Sequence, residues 1–475
     1  MSAPDLTVEI MEQLRASGAE KHTTLLLGAG ASTTSGLPGW DELATRLLIG
    51  SRSVDDIDSA QLLLSRQDPL IAVEAARSEY GDKWLRKVRT ALYEGVASTE
   101  FSPLQLATVA HTLGGKPENT SLVTLNFDTL LEQALEQESG SKVASLTAGS
   151  SSEGDGTYQV HHLHGVVSPT ATDEVVLTLT DFLDLISKPN SWQMNFLRDA
   201  VGRGALIIAG TSYRDPDVRQ WLAAALKEAP AEHAAIVLLA RQGFGVDKQQ
   251  FAKLERALSA QWTAVGMRPL LLHDFSDAAQ VIRELRHVNA EGYLAPRERA
   301  KQIWEFHSAG FAKLQQSYVA ELGRNAESIR QVLDVEHLNL TLWLADGNGR
   351  LARWAAQDRV YLDPSGLRAV ETGYDSPWIA GKALGSEALL FQDLPSDHIR
   401  QWRSVLALPL PAPHPTLPTM TSAVLTIGLP DFASRFEKSK LMWGELLVSI
   451  GNEWSTRLTE EVFSTPIATT ITGTD

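Results

Sequence analysis

The sequence predicts an α/β protein: a parallel-sheet domain with a helical insertion, followed by a smaller α+β domain. Three observations carry this. Short apolar runs of about five residues alternate with segments of helical spacing as far as residue 290, as expected for buried parallel strands with helices on both faces. Beyond residue 297 that alternation gives way to apolar runs paired around a turn. Seven of the twelve tryptophans (304, 343, 354, 378, 402, 443 and 454) lie beyond residue 297, which calls for a second core. The expected organisation is a first domain at 1–295, a helical connector at 296–325 and a second domain at 326–475.

The expected strands of the first domain are Thr23–Leu27, Ser121–Leu125, Val160–Leu163, Ala205–Ala209, Ala235–Ala240 and Arg268–Leu272. Helical spacing marks Trp40–Ile49, Pro69–Tyr80, Trp84–Glu94 and Asp217–Lys227, and residues 41–110 form a helical insertion between the first two strands. Asp215 suits the N-cap of one helix and Pro216 its first position. In the second domain, Lys301–Leu333 is mostly helical, and Leu338–Ala345 and Arg350–Ala355 flank the turn Asp346-Gly347-Asn348-Gly349, a hairpin signal. Trp402–Pro409 and Ala423–Leu429 add strands, and Lys438–Leu458 closes with a helix. The uncharged stretch Ser404–Pro430 carries Pro409, Pro411, Pro413, Pro415 and Pro418, which would break a spanning helix, so it reads as two strands around a loop.

Composition narrows the function. The 475 residues are 43% hydrophobic and 21% charged, with a net charge of −16, which disfavours a polyanion-binding role; no nucleic-acid partner is expected. The absence of cysteine excludes disulfides, cysteine nucleophiles and thiolate zinc sites. No basic segment followed by an apolar core opens the sequence, so the expected location is cytoplasmic, with no membrane partner.

Four clusters stand at strand ends. Leu27-Gly28-Ala29-Gly30-Ala31-Ser32, followed by Ser35-Gly36-Leu37-Pro38-Gly39-Trp40, is a small-residue turn leading into a helix, where backbone amides can approach a phosphate; a plain tight turn is the alternative. Thr33 stands where a dinucleotide fingerprint needs its third glycine, and no Gly-Lys-Ser/Thr follows, so neither that fingerprint nor a P-loop fits. Thr124-Leu125-Asn126-Phe127-Asp128 places two polar side chains past a buried strand; the alternative is an Asn/Asp turn capping the next helix. In His161-His162-Leu163-His164-Gly165, strand alternation separates His161 from His162 and His164, and no metal ligand set is completed, so one catalytic histidine is the simpler account and no metal is expected. Gly210-Thr211-Ser212 is the fourth cluster.

Taken in this order, the four clusters resemble the SIR2-like family, the Rossmann-like sirtuin-type fold, over roughly residues 10–290. The chain departs from sirtuin deacetylases in lacking their four-cysteine zinc module and in having Pro38-Gly39-Trp40-Asp41 where they carry Pro-Asp-Phe-Arg. The resemblance therefore implies the bacterial SIR2-like branch whose members hydrolyse NAD in antiphage defence. It implies NAD as substrate, with Asn126 holding ribose or water, His164 as general base or ribose partner, and Asp128 acting electrostatically or bracing the loop. Gly28, Ala29, Gly30, Ala31, Ser32, Gly36, Pro38, Trp40, Thr124, Gly210, Thr211 and Ser212 would bind NAD, Trp40 on the nicotinamide side. The alternatives are a deacylase, an ADP-ribosyltransferase or a non-catalytic NAD or ADP-ribose sensor. Residues 326–475 resemble a GAF-type sensor by pattern, with an unrelated oligomerisation module as the alternative. A homo-oligomer and an activating partner or ligand sensed by this domain are expected.

Overall fold

The computed structural model describes residues 6–15, 17–96, 100–148, 150, 158–172, 175–188, 191–211, 216–227, 234–395, 401–437 and 439–464. The chain divides into two compact units, Glu12–Arg286 and a second made of Met1–Met11 with His287–Asp475.

The first unit is built on seven parallel strands: β1 (Thr23–Leu27), β2 (Thr120–Thr124), β3 (Val143–Leu146), β4 (Tyr158–His162), β5 (Ala205–Ala209), β6 (Ala235–Ala240) and β7 (Arg268–Leu272). Their order is β3-β4-β2-β1-β5-β6-β7. β1 is therefore the centre: the chain fills one side with β2, β3 and β4 and then crosses to β5, β6 and β7. A crevice outside the carboxyl ends of β1, β2 and β5 follows from this reversal. Strands buried on both faces explain the unbroken apolar runs: all residues of β1, β5 and β6 are buried. Leu26, Val123, Ile208 and Val237 face one core with Leu197, Trp221, Phe251 and Trp262 from the helices packed there.

Six of the seven strands were legible; β3, four residues at the sheet edge and only partly buried, was not. Between β1 and β2 run the helices Trp40–Ser51, Ile57–Arg66, Pro69–Tyr80, Trp84–Tyr93 and Pro103–Leu113. The first four of these pack their own small core through Leu43, Leu47, Val73, Trp84 and Val88. The helix expected after Asp215 is present as Pro216–Leu226; Asp215 itself lies outside the described residues.

The second unit has six antiparallel strands: β8 (Asn339–Ala345), β9 (Arg350–Ala356), β10 (Ala369–Glu371), β11 (Leu390–Asp393), β12 (Ser404–Ala412) and β13 (Met420–Leu429), in the order β10-β9-β8-β13-β12-β11. β12 runs on through Pro409 and Pro411, with a register shift between Leu410 and Pro411. β11 pairs only with residues 404–407, so both prolines lie where β12 has one neighbour and a missing amide is tolerated. One face of the sheet packs Leu342, Trp354 and Leu425 against helices Pro296–Ala309, Phe311–Leu333 and Lys440–Ser464. The stretch expected as a connector supplies Ala300, Ile303, Phe311, Tyr318 and Leu322 to this core, so it is an integral layer of the unit. Residues up to Met11 also group here and not with the parallel sheet; the Arg297 amide donates to the Leu6 carbonyl at 3.1 Å. The helix Ile379–Ser386 covers the opposite face, its Gly381 and Gly385 leaving no room for a Cβ against Glu371, Ser376 and Gly373.

Candidate functional site

The crevice at the head of the parallel sheet is assembled from the strand-end clusters. After β1, the Gly28 amide donates to Ala209 O at 3.0 Å and the Gly30 amide to Gly210 O at 2.6 Å, which stitches the small-residue turn to the end of β5. A Cβ on Gly28 would lie 2.5 Å from Thr211 Cα and 2.7 Å from Gly210 O, and one on Gly30 would lie 2.6 Å from the Phe275 ring. The room at each glycine, expected from the sequence to admit a phosphate, is taken up by a neighbour inside the protein. The amides of Ala31, Ser32 and Thr33 are likewise bonded to carbonyls of the same turn, so Ala29 offers the open amide among the described residues of this loop. Gly36 and Gly210 have φ of +90° and +69°, a region that L side chains rarely occupy.

From β2, the Asn126 side chain reaches back across this turn. Its Nδ2 donates to Gly28 O at 3.0 Å and to Ser32 Oγ at 2.8 Å, and its backbone amide donates to Thr124 Oγ1 at 3.0 Å. With both amide hydrogens committed, Oδ1 is the atom left to meet a ligand. Asp128 is buried, and its Oδ1 accepts from the Leu130 amide at 3.0 Å, so the helix-capping alternative also holds for it. Burial raises the Asp128 pKa above the usual carboxylate range, against the opposing effects of Ser32 and Leu130.

His164 follows β4 and is buried, its ring centroid 6.2 Å from that of Trp221. The Val176 amide donates to its carbonyl at 2.9 Å. His162, two residues earlier, turns instead into the protein: Nδ1 bonds Asn126 O at 3.0 Å and Nε2 bonds Glu132 Oε1 at 2.6 Å. Burial lowers the His162 pKa, but the charge and hydrogen bond of Glu132, helped by Asn126 and Asp128, outweigh it and leave a net rise. Among the described residues no group of three or more histidines and acids is arranged to hold a metal ion.

One cavity gathers Ala29, Ser32, Pro38, Trp40, Asn126, Asp128 and His164. Gly28, Gly30, Ala31, Gly36, Thr124, Gly210 and Thr211 do not line it; they shape the turns behind it, Thr124 by donating from Oγ1 to Leu27 O at 3.2 Å. Ser212 lies outside the described residues. The sequence left unmarked the apolar wall of Leu43, Leu70, Leu92, Phe127, Val176 and Phe182, and the exposed Asp68 and half-buried Pro69 that also line the cavity. Much of this wall comes from helices of the insertion, tied to the helix Leu179–Ile186: Arg77 Nη1 donates to Thr178 Oγ1 at 2.8 Å and pairs with Asp181, and Glu74 accepts from the Thr180 amide at 2.7 Å. Tyr93, also of the insertion, donates its hydroxyl to Val167 O at 2.7 Å, and burial with the nearby Asp128 charge raises its pKa.

Residues 120–269 match the family model of the SIR2-like domain. The chain carries a SIR2-like domain. The match includes Asn126, Asp128, His164, Gly210 and Thr211, while the turn after β1 precedes it. A SIR2-like domain implies NAD as the molecule used. The structure of a GAF sensor protein from Burkholderia vietnamiensis matches at 14% identity, covering 35% of this chain and 96% of that one with a TM-score of 0.21. No curated protein matches the sequence.

Proposed function

We propose that the chain is an NAD hydrolase, converting NAD and water to nicotinamide, ADP-ribose and a proton, and that it acts as a regulated NAD-depleting effector in antiphage defence. The observation that carries the enzymatic reading is the convergence of Asn126, His164 and Asp128, all within the segment that matches the SIR2-like domain, in one cavity with an apolar wall. The defence role rests on the family resemblance of the strand-end clusters.

Breaking the bond between nicotinamide and ribose sends its electron pair to the nicotinamide nitrogen and leaves positive charge on the ribose. In its ionised form, Asp128 in this buried setting stabilises that charge more strongly than a solvated carboxylate would. Asn126 Oδ1 accepts from the attacking water or a ribose hydroxyl and so orients it. His164 takes the proton that the water releases as its oxygen bonds to the ribose carbon. Trp40 and the wall around Phe127 pack on the nicotinamide side and keep bulk water out. The second unit is proposed as the sensing or self-associating element, since uncontrolled cleavage would drain a cofactor the cell needs.

Incubating the purified chain with NAD and separating the products tests this. Equal amounts of nicotinamide and ADP-ribose, with activity that depends on assembly state or on an added partner, are expected. An acetyl-ADP-ribose product in the presence of an acetylated peptide would replace hydrolysis with deacylation.

A further inference from the structure

The Glu132–His162 pair contributes no atom to the cavity, yet it is buried directly behind Asn126. Glu132 stands on the helix Leu130–Ser139, and its Oε1 accepts from both His162 Nε2 and the Ser145 hydroxyl; Oε2 is buried without a hydrogen-bond partner among the described residues. On the other side of the ring, Nδ1 meets the Asn126 carbonyl, which can only accept. Nδ1 must therefore carry a hydrogen for this contact to be attractive. Nε2 faces a carboxylate, so that side also needs a proton, held by the ring or shared with Glu132. A single neutral tautomer cannot serve two acceptors; the pair as a whole has to hold that extra proton.

We propose that Glu132 and His162 are positioning residues, a proton-sharing pair that anchors the Asn126 backbone and thereby aims its Oδ1 into the cavity. This rests on the hydrolase reading above. The anchor is specific because the Asn126 side chain is already fixed at Gly28 and Ser32, so the carbonyl contact sets the remaining freedom of the residue. The titratable groups that act on the pair from around it are Asp128 from the loop after β2, Tyr93 from the insertion and His161 on the same strand.

A pH consequence separates this from mere packing. When pH rises far enough to remove the shared proton, the hydrogen left on the ring is drawn to Nε2 by the charge of Glu132, and Nδ1 then presents a lone pair to Asn126 O. The anchor is lost and kcat falls on the alkaline side. In Glu132→Gln, a neutral His162 keeps its hydrogen on Nδ1 and accepts from the glutamine amide at Nε2, so the anchor survives at every pH.

The experiment compares the full-length wild type, Glu132→Gln, His162→Asn/Glu132→Gln and His162→Gln/Glu132→Gln in kcat, KM and pH profile, with crystal structures of each. Asparagine can place a donor near the Nδ1 position; glutamine reaches the Nε2 position only. The expected result is an alkaline fall in wild-type kcat that is absent in Glu132→Gln, and a kcat about 10²-fold lower in the glutamine double variant than in the asparagine one, the scale of a misplacement of about 1 Å, with KM little changed. The crystal structures should show the Asn126 amide displaced from Gly28 and Ser32 in the glutamine variant alone. An alkaline limb identical in wild type and Glu132→Gln, or equal kcat in the two double variants, overturns the proposal. A wild type that never cleaves NAD refutes the hydrolase reading instead, and the Asn126 displacement still decides the anchoring claim.

Discussion

Replacing Asn126 by alanine removes an amide that does two jobs, and the structure sizes both. The first is structural: Nδ2 supplies hydrogen bonds of 3.0 and 2.8 Å to Gly28 O and Ser32 Oγ. At about 0.5–1.5 kcal/mol net for each bond, their loss costs about 1–3 kcal/mol. Gly28 and Ser32 are both buried, so the abandoned acceptors are poorly hydrated and the upper half of that range is expected. The second job is chemical. Without Oδ1 the water or ribose hydroxyl is no longer oriented, and kcat should fall by at least about 10²-fold, the low end for a lost proton-transfer arrangement. The assay is nicotinamide release together with thermal unfolding of the same preparations. Nicotinamide release within about threefold of wild type would refute the catalytic placement, and an unchanged unfolding midpoint would refute the bridge between β2 and the turn after β1.

Three further outcomes follow from the same geometry. Gly28→Ala places a methyl 2.5 Å from Thr211 Cα, a clash with backbone that cannot swing away, so it should destabilise by about 1–3 kcal/mol in a denaturant titration. Asp128, whose pKa burial raises, must be ionised to act: kcat should fall as pH drops through a value above the ordinary ~3.9 of aspartate, with this limb gone in Asp128→Asn. The sign differs for stability, because a carboxyl that protonates more readily when folded gains folding stability as pH falls through that window; activity is thus lost before the fold. Treatment with a chelator should leave turnover intact, checked by metal analysis of the treated protein.

The parallel sheet was legible because strands buried on both faces must be apolar throughout, and Ala205–Ala209 and Ala235–Ala240 match the structure residue for residue. Short edge strands such as Val143–Leu146 and Ala369–Glu371 bury too little to leave that mark. The helix Ile379–Ser386 was hidden by its own glycines, whose reason is close approach to Gly373 and Ser376. At the site, Asn126, Asp128 and His164 stood out as polar groups at the ends of apolar strands, although a helix-capping turn accounts for Asp128 as well. The partner of His162 was invisible: Glu132 lies 30 residues away on a different element, and only the pairing of β2 with β4 brings the two together. The apolar wall was missed for the same reason: Leu43, Leu70 and Leu92 come from the helical insertion, and Phe127, Val176 and Phe182 from segments after β2 and β4, far apart in sequence.

The central claim is that the cavity at the head of the parallel sheet breaks the nicotinamide–ribose bond of NAD. Its most direct measurement is the rate of nicotinamide and ADP-ribose formation by the purified full-length chain and by His164→Ala, under the condition that activates the wild type. The account predicts equal amounts of both products from wild type and a rate at least about 10²-fold lower from the variant, with NAD still bound. Equal rates from the two proteins would contradict it.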